Sequence, residues 1–283
     1  MANRDFDAEL DVAVDAARRA GRIQMERYER LERIVHKSEH DVVTEVDDLS
    51  EELIIAAVRR AFPTDEFLAE ESGRSGGKPS GSSHGTSSPP DGAASTPAPS
   101  AADRLWIIDP LDGTVNYANG IPVFCVSIGL AVDGRPVVGV VHDPTRDEMF
   151  TAIAGRGAWL DGAPIHHPLK PRLADAVVSL SLPSVRFARR EHRIHTSIRV
   201  SRNMGSAALQ LAYVANGRFD AMVQYGGLSL WDVTAAGLIA QEAGAMVTGI
   251  TGGPWFDMVG KSRAMGIVAG SPAHHATLME MLR

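Results

Sequence analysis

Residues 106–117 read WIIDPLDGTVNY, an apolar run typical of a buried strand that leads directly into Asp109 and Asp112. An ionised carboxylate next to a core is costly unless it is paired or binds a metal. Pro110 restricts the backbone after Asp109, and Gly113 permits a sharp turn. Both carboxylates can therefore point the same way, and the stretch predicts a strand that ends in a polar site.

The turn after this strand combines groups of opposite character. Backbone N–H groups at Gly113 and Thr114 would face an anion, whereas the two aspartates would repel one. Magnesium resolves this conflict, because it prefers oxygen ligands and is commonly held by a few carboxylates plus a substrate phosphate. The alternative is a plain Asp-Pro turn with an Asx cap, which is a common structure.

Composition sets the class of protein. The chain has 283 residues, of which 44% are hydrophobic, enough for one compact unit or two closely packed parts. A net charge of −7 argues against a nucleic-acid groove as the main binding site. The single cysteine, Cys125, lies in an apolar run and predicts a buried thiol without a disulfide framework. The N-terminus lacks an apolar signal region, and no run approaches the ~18 residues of a membrane span. We expect a cytoplasmic protein with neither a nucleic-acid nor a membrane partner.

Helical periodicity dominates the first part of the chain. Residues 5–35 predict one long amphipathic helix, with small apolar side chains at helical spacing. Thr44 and Asp47 have capping-box spacing, and the helix that they begin is stopped by Pro63. A short strand follows and ends in two glutamates.

Residues 73–103 differ in kind from the rest. Of these 31 positions, 26 are Gly, Ser, Pro, Ala or Thr. Such a segment cannot offset its ordering entropy by burial. Because motifs with polar side chains lie on both sides of it, the segment is predicted to be a flexible surface insertion and not a domain boundary.

The remainder of the chain predicts two kinds of organisation. Three strand-like runs after the opening stretch indicate an antiparallel meander, and from Asp175 onward shorter strands alternate with helices. We expect an N-terminal α+β part over residues 1–155 and a smaller C-terminal α/β part over residues 156–283. Residues 183–200 are rich in Arg and His, and a solvated connection is favoured over a segment that reaches a pocket.

Further carboxylates stand at the ends of predicted elements. Glu70 and Glu71 end a strand and, taken alone, would be a solvated strand end. Asp232 begins a helix, where an N-cap is the plain explanation, and Asp47 alone would be a capping-box residue. Each signal is weak singly, but together with the two aspartates of the opening stretch they indicate one shared site.

This combination resembles the inositol monophosphatase family, magnesium-dependent phosphatases that are sensitive to lithium. The resemblance covers most of the chain except 73–103 and roughly 183–200. It implies a layered α-β-α-β-α sandwich, α+β and α/β in class, of the type shared with fructose-1,6-bisphosphatase, and a homodimer. The matching motifs are AEES (69–72), WIIDPLDGTVNYANGIP (106–122) and LWDVTAAGLIAQEAGA (230–245), with looser matches at HKSEHDVVTEVD (36–47) and TGGPW (251–255).

The resemblance implies two or three Mg²⁺ ions in each site. Glu70, Asp109 and the carbonyl of Leu111 would hold the first ion. Asp109, Asp112 and Asp232 would hold the second, and a third, looser ion would share Glu70.

The resemblance also implies catalytic roles. Thr114 and Asp47 would orient and deprotonate the attacking water, next to the metal ligand Glu70. Gly113 and Thr114 would bind phosphate through backbone N–H groups, and Glu71 would support the metal ligands.

Substrate contacts are implied at a third set of positions. Tyr225 stands where inositol-specific members of the family have a glutamate that binds substrate hydroxyls. A tyrosine cannot bridge two hydroxyls as a carboxylate does, which argues against a strict preference for inositol phosphate. The residues implied to lie beside the substrate are Asp112, Asp232, Tyr225 and the turn formed by Gly205, Ser206 and Ala207.

The expected function is hydrolysis of a small phosphate monoester, with an inositol monophosphate as the first candidate. Such hydrolysis is among the slowest uncatalysed reactions, and paired metal ions can supply much of the large barrier reduction. Fructose 1,6-bisphosphate, histidinol phosphate and 3′-phosphonucleotides are alternative substrates on the same scaffold. A regulatory protein that binds metal or phosphate without catalysis is the least favoured hypothesis, because Thr114 and Asp47 are both present.

Overall fold

The computed structural model describes residues 5–30, 34–38, 41–76, 104–182, 188–258 and 264–283, with the backbone alone for 34–38 and 41–43. Its α-helices are α1 (Asp7–Arg27), α2 (Glu45–Ala61), α3 (Thr114–Ala118), α4 (Ala188–Ser197), α5 (Ala207–Ala215), α6 (Leu230–Glu242) and α7 (Pro272–Met281). Its strands are β1 (Ile34–Ser38), β2 (Asp41–Thr44), β3 (Glu66–Ala69), β4 (Gly73–Ser75), β5 (Arg104–Asp112), β6 (Cys125–Val132), β7 (Arg135–Asp143), β8 (Glu148–Ile153), β9 (Gly157–Leu160), β10 (Ala163–Ile165), β11 (Val177–Ser181), β12 (Val200–Arg202), β13 (Ala221–Leu228), β14 (Met246–Gly249) and β15 (Met265–Gly270). Among the helices of these ranges, none has the length and apolar character needed to cross a membrane.

Two large sheets organise the molecule. The first has eight strands in the order β10-β9-β8-β7-β6-β5-β3-β4, with β3 and β5 parallel and the other neighbours antiparallel. The second has five strands in the order β12-β11-β13-β15-β14, with β11 parallel to both β12 and β13. The predicted meander is confirmed as β6, β7 and β8.

Helices cover the sheets in three layers. Helices α1 and α2 pack on one face of the eight-stranded sheet, α5 and α6 lie between the two sheets, and α4 and α7 cover the outer face of the five-stranded sheet. Helices α5 and α6 are buried on nearly all sides because each packs against both sheets. This arrangement confirms the expected α-β-α-β-α sandwich.

Helix α1 is shorter than predicted. The sequence pattern predicts a helix over residues 5–35, but α1 ends at Arg27. Tyr28 leaves the helical conformation, with φ −57° and ψ 130°. Its ring packs against Tyr117 and Phe124, with centroids 5.6 and 5.2 Å away. Tertiary packing of this aromatic side chain therefore coincides with the end of the helix.

The division between the two parts also differs from the prediction. Strands β9 and β10 follow residue 155 yet pair with β8 and with each other in the eight-stranded sheet. The change from one sheet to the other thus falls between Ile165 and Val177.

Two segments of unusual composition begin or contain regular structure. The segment predicted as an insertion opens with β4, which pairs with β3, whereas residues 77–103 lie outside the described part. Residues 188–197 form α4, whose Ile194 is buried against the five-stranded sheet. A helix thus stands where the sequence predicts a connection, and Ile194 is the one side chain of α4 that is buried. Residues 183–187 lie outside the described part.

Candidate active site

Three carboxylates meet at one end of the eight-stranded sheet. Asp109, Asp112 and Asp232 each place one oxygen within 4.8 Å of the others. The first two stand at the end of β5, and Asp232 lies in the first turn of α6. The structure therefore brings Asp232 next to two aspartates that lie more than a hundred positions earlier in the sequence.

A β-bulge shapes the end of β5. Asp109 pairs with Ser127 and Asp112 pairs with Cys125, so the two residues between the aspartates oppose a single residue of β6. Such a bulge bends its strand and re-aims side chains. Gly113 then adopts φ 99°, and a Cβ there would lie 2.9 Å from a backbone carbonyl oxygen. Only glycine fits this turn.

Asp112 is held by the N-terminus of α5. Ser206 Oγ donates to Asp112 Oδ2 at 2.7 Å, and the N–H groups of Ala208 and Ala207 donate to the same carboxylate at 2.6 and 3.3 Å. The positive end of the helix dipole adds to this attraction. Ser206 is fully buried, and its side chain holds Asp112 inside the fold. The implied position of the turn formed by Gly205, Ser206 and Ala207 beside the substrate stays a prediction.

Two hydrogen bonds hold the start of α6 around Asp232. Ser229 N–H donates to Asp232 Oδ2 at 2.5 Å as part of a capping box at the start of α6. Ser127 of β6 donates to the carbonyl of Trp231 at 3.1 Å. The N-cap of α6 is Ser229, so the explanation of Asp232 as an N-cap is wrong; Asp232 lies three residues later, closes the capping box and also belongs to the carboxylate cluster.

Glu70 is not among the carboxylates whose oxygens meet within 4.8 Å. Its N–H donates to the carbonyl of Ile108 at 3.2 Å, which continues the pairing of β3 with β5. The following turn is held by Glu51 of α2, whose buried carboxylate accepts the N–H groups of Glu71 and Ser72 at 2.9 Å each. Glu70 therefore stands beside the cluster, and its charge acts on Asp109.

Asp47 and Thr114 form the polar pair that the motifs predict. Thr114 Oγ lies 3.1 Å from Asp47 Oδ1 and 2.9 Å from the carbonyl oxygen of Leu111, and its hydroxyl can donate to either. Thr44 donates its N–H and its hydroxyl to Asp47 Oδ2 at 2.8 and 2.7 Å. Burial raises the pKa of Asp47 to about 6. Asp47 is thus both a capping-box residue and the hydrogen-bond partner of Thr114.

The electrostatics of the cluster favour a cation. Burial raises the pKa of Asp109 well above its usual range, and the neighbouring charges of Glu70, Asp112 and Asp232 raise it further. Burial also raises the pKa of Asp112. Like charges at such distances disfavour each other's ionised form. A hard divalent cation with oxygen ligands fits this donor set, since it would compensate the charges that the protein places together.

Two implied substrate residues lie on other elements. Tyr225 is part of β13 and is 39% exposed. Gly205 precedes α5 with φ 78°, where a Cβ would lie 2.9 Å from the side chain of Asn116. Asn116 in turn donates to the carbonyls of Val123 and Met204 at 2.8 and 2.7 Å. The turn before α5 is therefore tied to α3, two residues after Thr114.

Sequence reasoning missed residues that hold the site from a distance. Glu51 follows Asp47 by one helical turn on α2, a spacing that places both on one face. Gln24 donates to the carbonyl of Pro110 at 2.7 Å, and it continues the buried stripe of α1 at Ala17 and Ala20. A polar residue in an otherwise apolar stripe was the available signal. For Asn116 the sequence offered no such signal.

The chain matches one protein family over nearly its whole length. The model of the inositol monophosphatase family matches residues 5–283. The chain is similar to inositol monophosphatase 2 of Solanum lycopersicum, with 37% identity over 274 residues, 94% of each chain. It is also similar to Nus factor SuhB of Pasteurella multocida strain Pm70, with 38% identity over 253 residues, 86% of each chain. Among solved structures, the extragenic suppressor protein suhB from Bartonella henselae has a TM-score of 0.83 and 32% identity, with 98% of each chain covered.

Proposed function

The chain belongs to the inositol monophosphatase family, and on that basis we propose that it is a Mg²⁺-dependent phosphomonoesterase that acts on a small phosphorylated metabolite. The observation that carries this proposal is the buried cluster of Asp109, Asp112 and Asp232 next to the hydrogen-bonded pair of Asp47 and Thr114. A cluster of this kind without a nearby proton acceptor would suit metal storage, but the pair supplies one.

The proposed cation ligands are the three clustered aspartates, Glu70 and the carbonyl of Leu111. When bound, Mg²⁺ would polarise a water molecule and neutralise charge on the phosphate ester. Asp112 keeps its orientation through the N-terminus of α5, and Asp109 through the N–H of Leu111, which donates to its Oδ1 at 3.1 Å.

Asp47 and Thr114 are the proposed proton-accepting pair. Asp47 has a pKa near 6, so at neutral pH it is a carboxylate that can accept a proton passed on by the Thr114 hydroxyl. Thr44 fixes the other oxygen of Asp47. The carboxylate is therefore oriented before any substrate arrives.

The phosphate group of the substrate is proposed to face the backbone N–H groups of Gly113 and Thr114. The rest of the substrate would lie towards the turn before α5 and towards Tyr225. We propose inositol monophosphate as the first candidate substrate. Fructose 1,6-bisphosphate, histidinol phosphate and a 3′-phosphonucleotide are the alternatives that Tyr225 keeps open.

Release of inorganic phosphate tests the proposal. The purified chain is assayed with these four esters in Mg²⁺ and, as a control, in EDTA, and kcat/KM is determined for each ester. We expect Mg²⁺-dependent turnover of at least one ester and inhibition by millimolar lithium. Folded protein that turns over none of them in Mg²⁺ would contradict the proposal.

A role without catalysis is the second candidate function, favoured by one observation: the similar protein of Pasteurella multocida is named a Nus factor. The same assay separates the two candidates, since only the phosphatase requires turnover. The homodimer, the cytoplasmic location and the absence of a nucleic-acid partner stay predictions.

A further inference from the structure

The peptide bond between Pro110 and Leu111 lies at the centre of the proposed cation site. Its N–H, on Leu111, donates to Asp109 Oδ1 at 3.1 Å. The orientation of this peptide therefore decides which oxygen of Asp109 is occupied and which is left to a cation. The next carbonyl, that of Leu111, is itself a proposed ligand.

Regular strand pairing does not hold this peptide. The bulge removes Pro110 and Leu111 from the register of β6. On the other side, the pairing of β3 with β5 extends only to Ile108, and β3 ends at Ala69. A buried carbonyl without a donor is costly, so the carbonyl of Pro110 needs a partner from outside the sheet.

Helix α1 supplies that partner. Gln24 Nε2 donates to the carbonyl oxygen of Pro110 at 2.7 Å, across 86 positions of sequence. Gln24 is 0% exposed and occupies the helix face that packs on the sheet. Its own backbone carbonyl, near the end of α1, accepts the hydroxyl of Tyr117 at 2.6 Å. The side chain and the backbone of Gln24 are thus fixed by different partners.

We propose that Gln24 is a positioning residue for the cation site, which it serves by fixing the peptide between Pro110 and Leu111 and, through it, the carboxylate of Asp109. This inference rests on the proposed function, because it assigns Gln24 a part in binding the cation which that function requires. Gln24 itself touches neither cation nor substrate.

The side-chain carbonyl oxygen of Gln24 supports a functional role for the amide N–H group. Gln24 Oε1 is buried and has no hydrogen-bond partner in the described part of the chain. A buried polar atom without a partner lowers stability. An apolar side chain at this position would avoid that cost, so the amide is better explained by what its N–H group holds than by the packing of α1.

The test measures Mg²⁺ affinity and thermal stability for each of three variants. Gln24→Met keeps the shape of the side chain and removes the donor, while Gln24→Asn keeps an amide but shortens its reach. Tyr117→Phe is the matched control, because it removes a buried hydrogen bond to Gln24 at the helix end and leaves the carbonyl of Pro110 untouched. Mg²⁺ binding to the EDTA-treated full chain is measured by calorimetry, and Tm is measured in EDTA.

We expect both Gln24 variants to bind Mg²⁺ about tenfold more weakly, the lower range for loss of an outer partner of a metal ligand. Tyr117→Phe should lower Tm and bind Mg²⁺ as the wild type does. Wild-type affinity in both Gln24 variants would overturn the inference, as would an equal loss of affinity in Tyr117→Phe. If the wild-type chain binds no Mg²⁺, the proposed function fails before the variants are compared.

Discussion

At the scale of the residue, burial of the Asp109 carboxylate among other carboxylates is expected to lower the stability of the fold. Its side chain is 1% exposed, and the charged groups that raise its pKa are the acidic side chains of Glu70, Asp112 and Asp232. A raised pKa in the folded protein means that folding disfavours the ionised form. Without a cation, the ionised Asp109 should therefore destabilise the fold that carries it.

Asp109→Asn is expected to stabilise the cation-free protein and to abolish its proposed activity. In EDTA at pH 7, Tm should rise by about 2 °C or more, since roughly 1 kcal/mol produces such a shift in a chain of this size. In Mg²⁺, kcat/KM should fall more than about a hundredfold, because Asp109 is a proposed ligand and even the loss of a residue that only positions a ligand can cost about that much. Thermal unfolding and phosphate release measure the two effects.

The pH dependence of Tm gives an independent check on Asp109. Its pKa is raised above the unfolded value of about 3.9, so between these two values the folded state binds more protons and stability falls as pH rises. The wild type in EDTA should show this fall more strongly than Asp109→Asn. Asp133→Asn, at an exposed turn where φ is 51°, is the control. A Tm in EDTA that is lower in Asp109→Asn than in the wild type would contradict the argument.

At the scale of the element, the N-terminus of α5 has two tasks. Ser206 caps the helix by accepting the N–H of Leu209 at 3.4 Å, and it donates its hydroxyl to Asp112. Two further N–H groups of the first turn go to the same carboxylate. The orphan donors of a helix start are thus satisfied by a residue of the carboxylate cluster. Formation of the helix and orientation of Asp112 therefore depend on each other.

Ser206→Ala and Ser271→Ala separate these two tasks. Ser271 caps α7 by accepting the N–H of His274 at 3.2 Å, away from the carboxylate cluster. Each substitution should cost about 1 kcal/mol of stability, as is usual for loss of an N-cap. Only Ser206→Ala should also lower kcat/KM, by about tenfold. Urea unfolding and phosphate release check both expectations, and an equal loss of activity in Ser271→Ala would refute the role of Ser206.

At the scale of the whole molecule, α6 links the two sheets and carries one member of the cluster. Its approach to the eight-stranded sheet is close: a Cβ on Gly139 of β7 would lie 2.6 Å from the carbonyl oxygen of Ala235, and one on Gly129 of β6 would lie 2.6 Å from the side chain of Thr234. The distance between Asp232 on α6 and Asp109 on β5 is therefore set by how closely helix and sheet backbones approach.

Gly139→Ala is expected to push α6 away from the sheet, because the added methyl group meets backbone atoms that cannot rotate aside. The free energy of unfolding should fall by about 1–3 kcal/mol, the usual cost of overpacking, and kcat/KM should fall as well. Gly253→Ala is the control, since its Cβ would meet nothing nearer than 4.0 Å. If Gly139→Ala matches the control in both unfolding and activity, the position of α6 does not depend on this contact.

The sequence by itself determined the elements and the members of the cluster. Burial of β5, the capping box at Thr44 and Asp47, the meander and the cap of α7 all depend on residues within a few positions of one another, and periodicity or cap chemistry reveals them. The family motifs predicted which carboxylates form the cluster. Local patterns failed where packing from another element decides, as at the end of α1 and over α4.

Only the tertiary structure decided what holds those carboxylates in place. Ser206 reaches Asp112 across 94 positions and Gln24 reaches Pro110 across 86; the hold of Glu51 on the turn after Glu70 crosses 20. No local pattern encodes such pairs, because each arises when helices and sheets pack and a buried donor or acceptor must find whichever partner the packing brings near. The sequence predicted the groups that would bind a cation, and the packing of α1, α2 and α5 fixed their orientation.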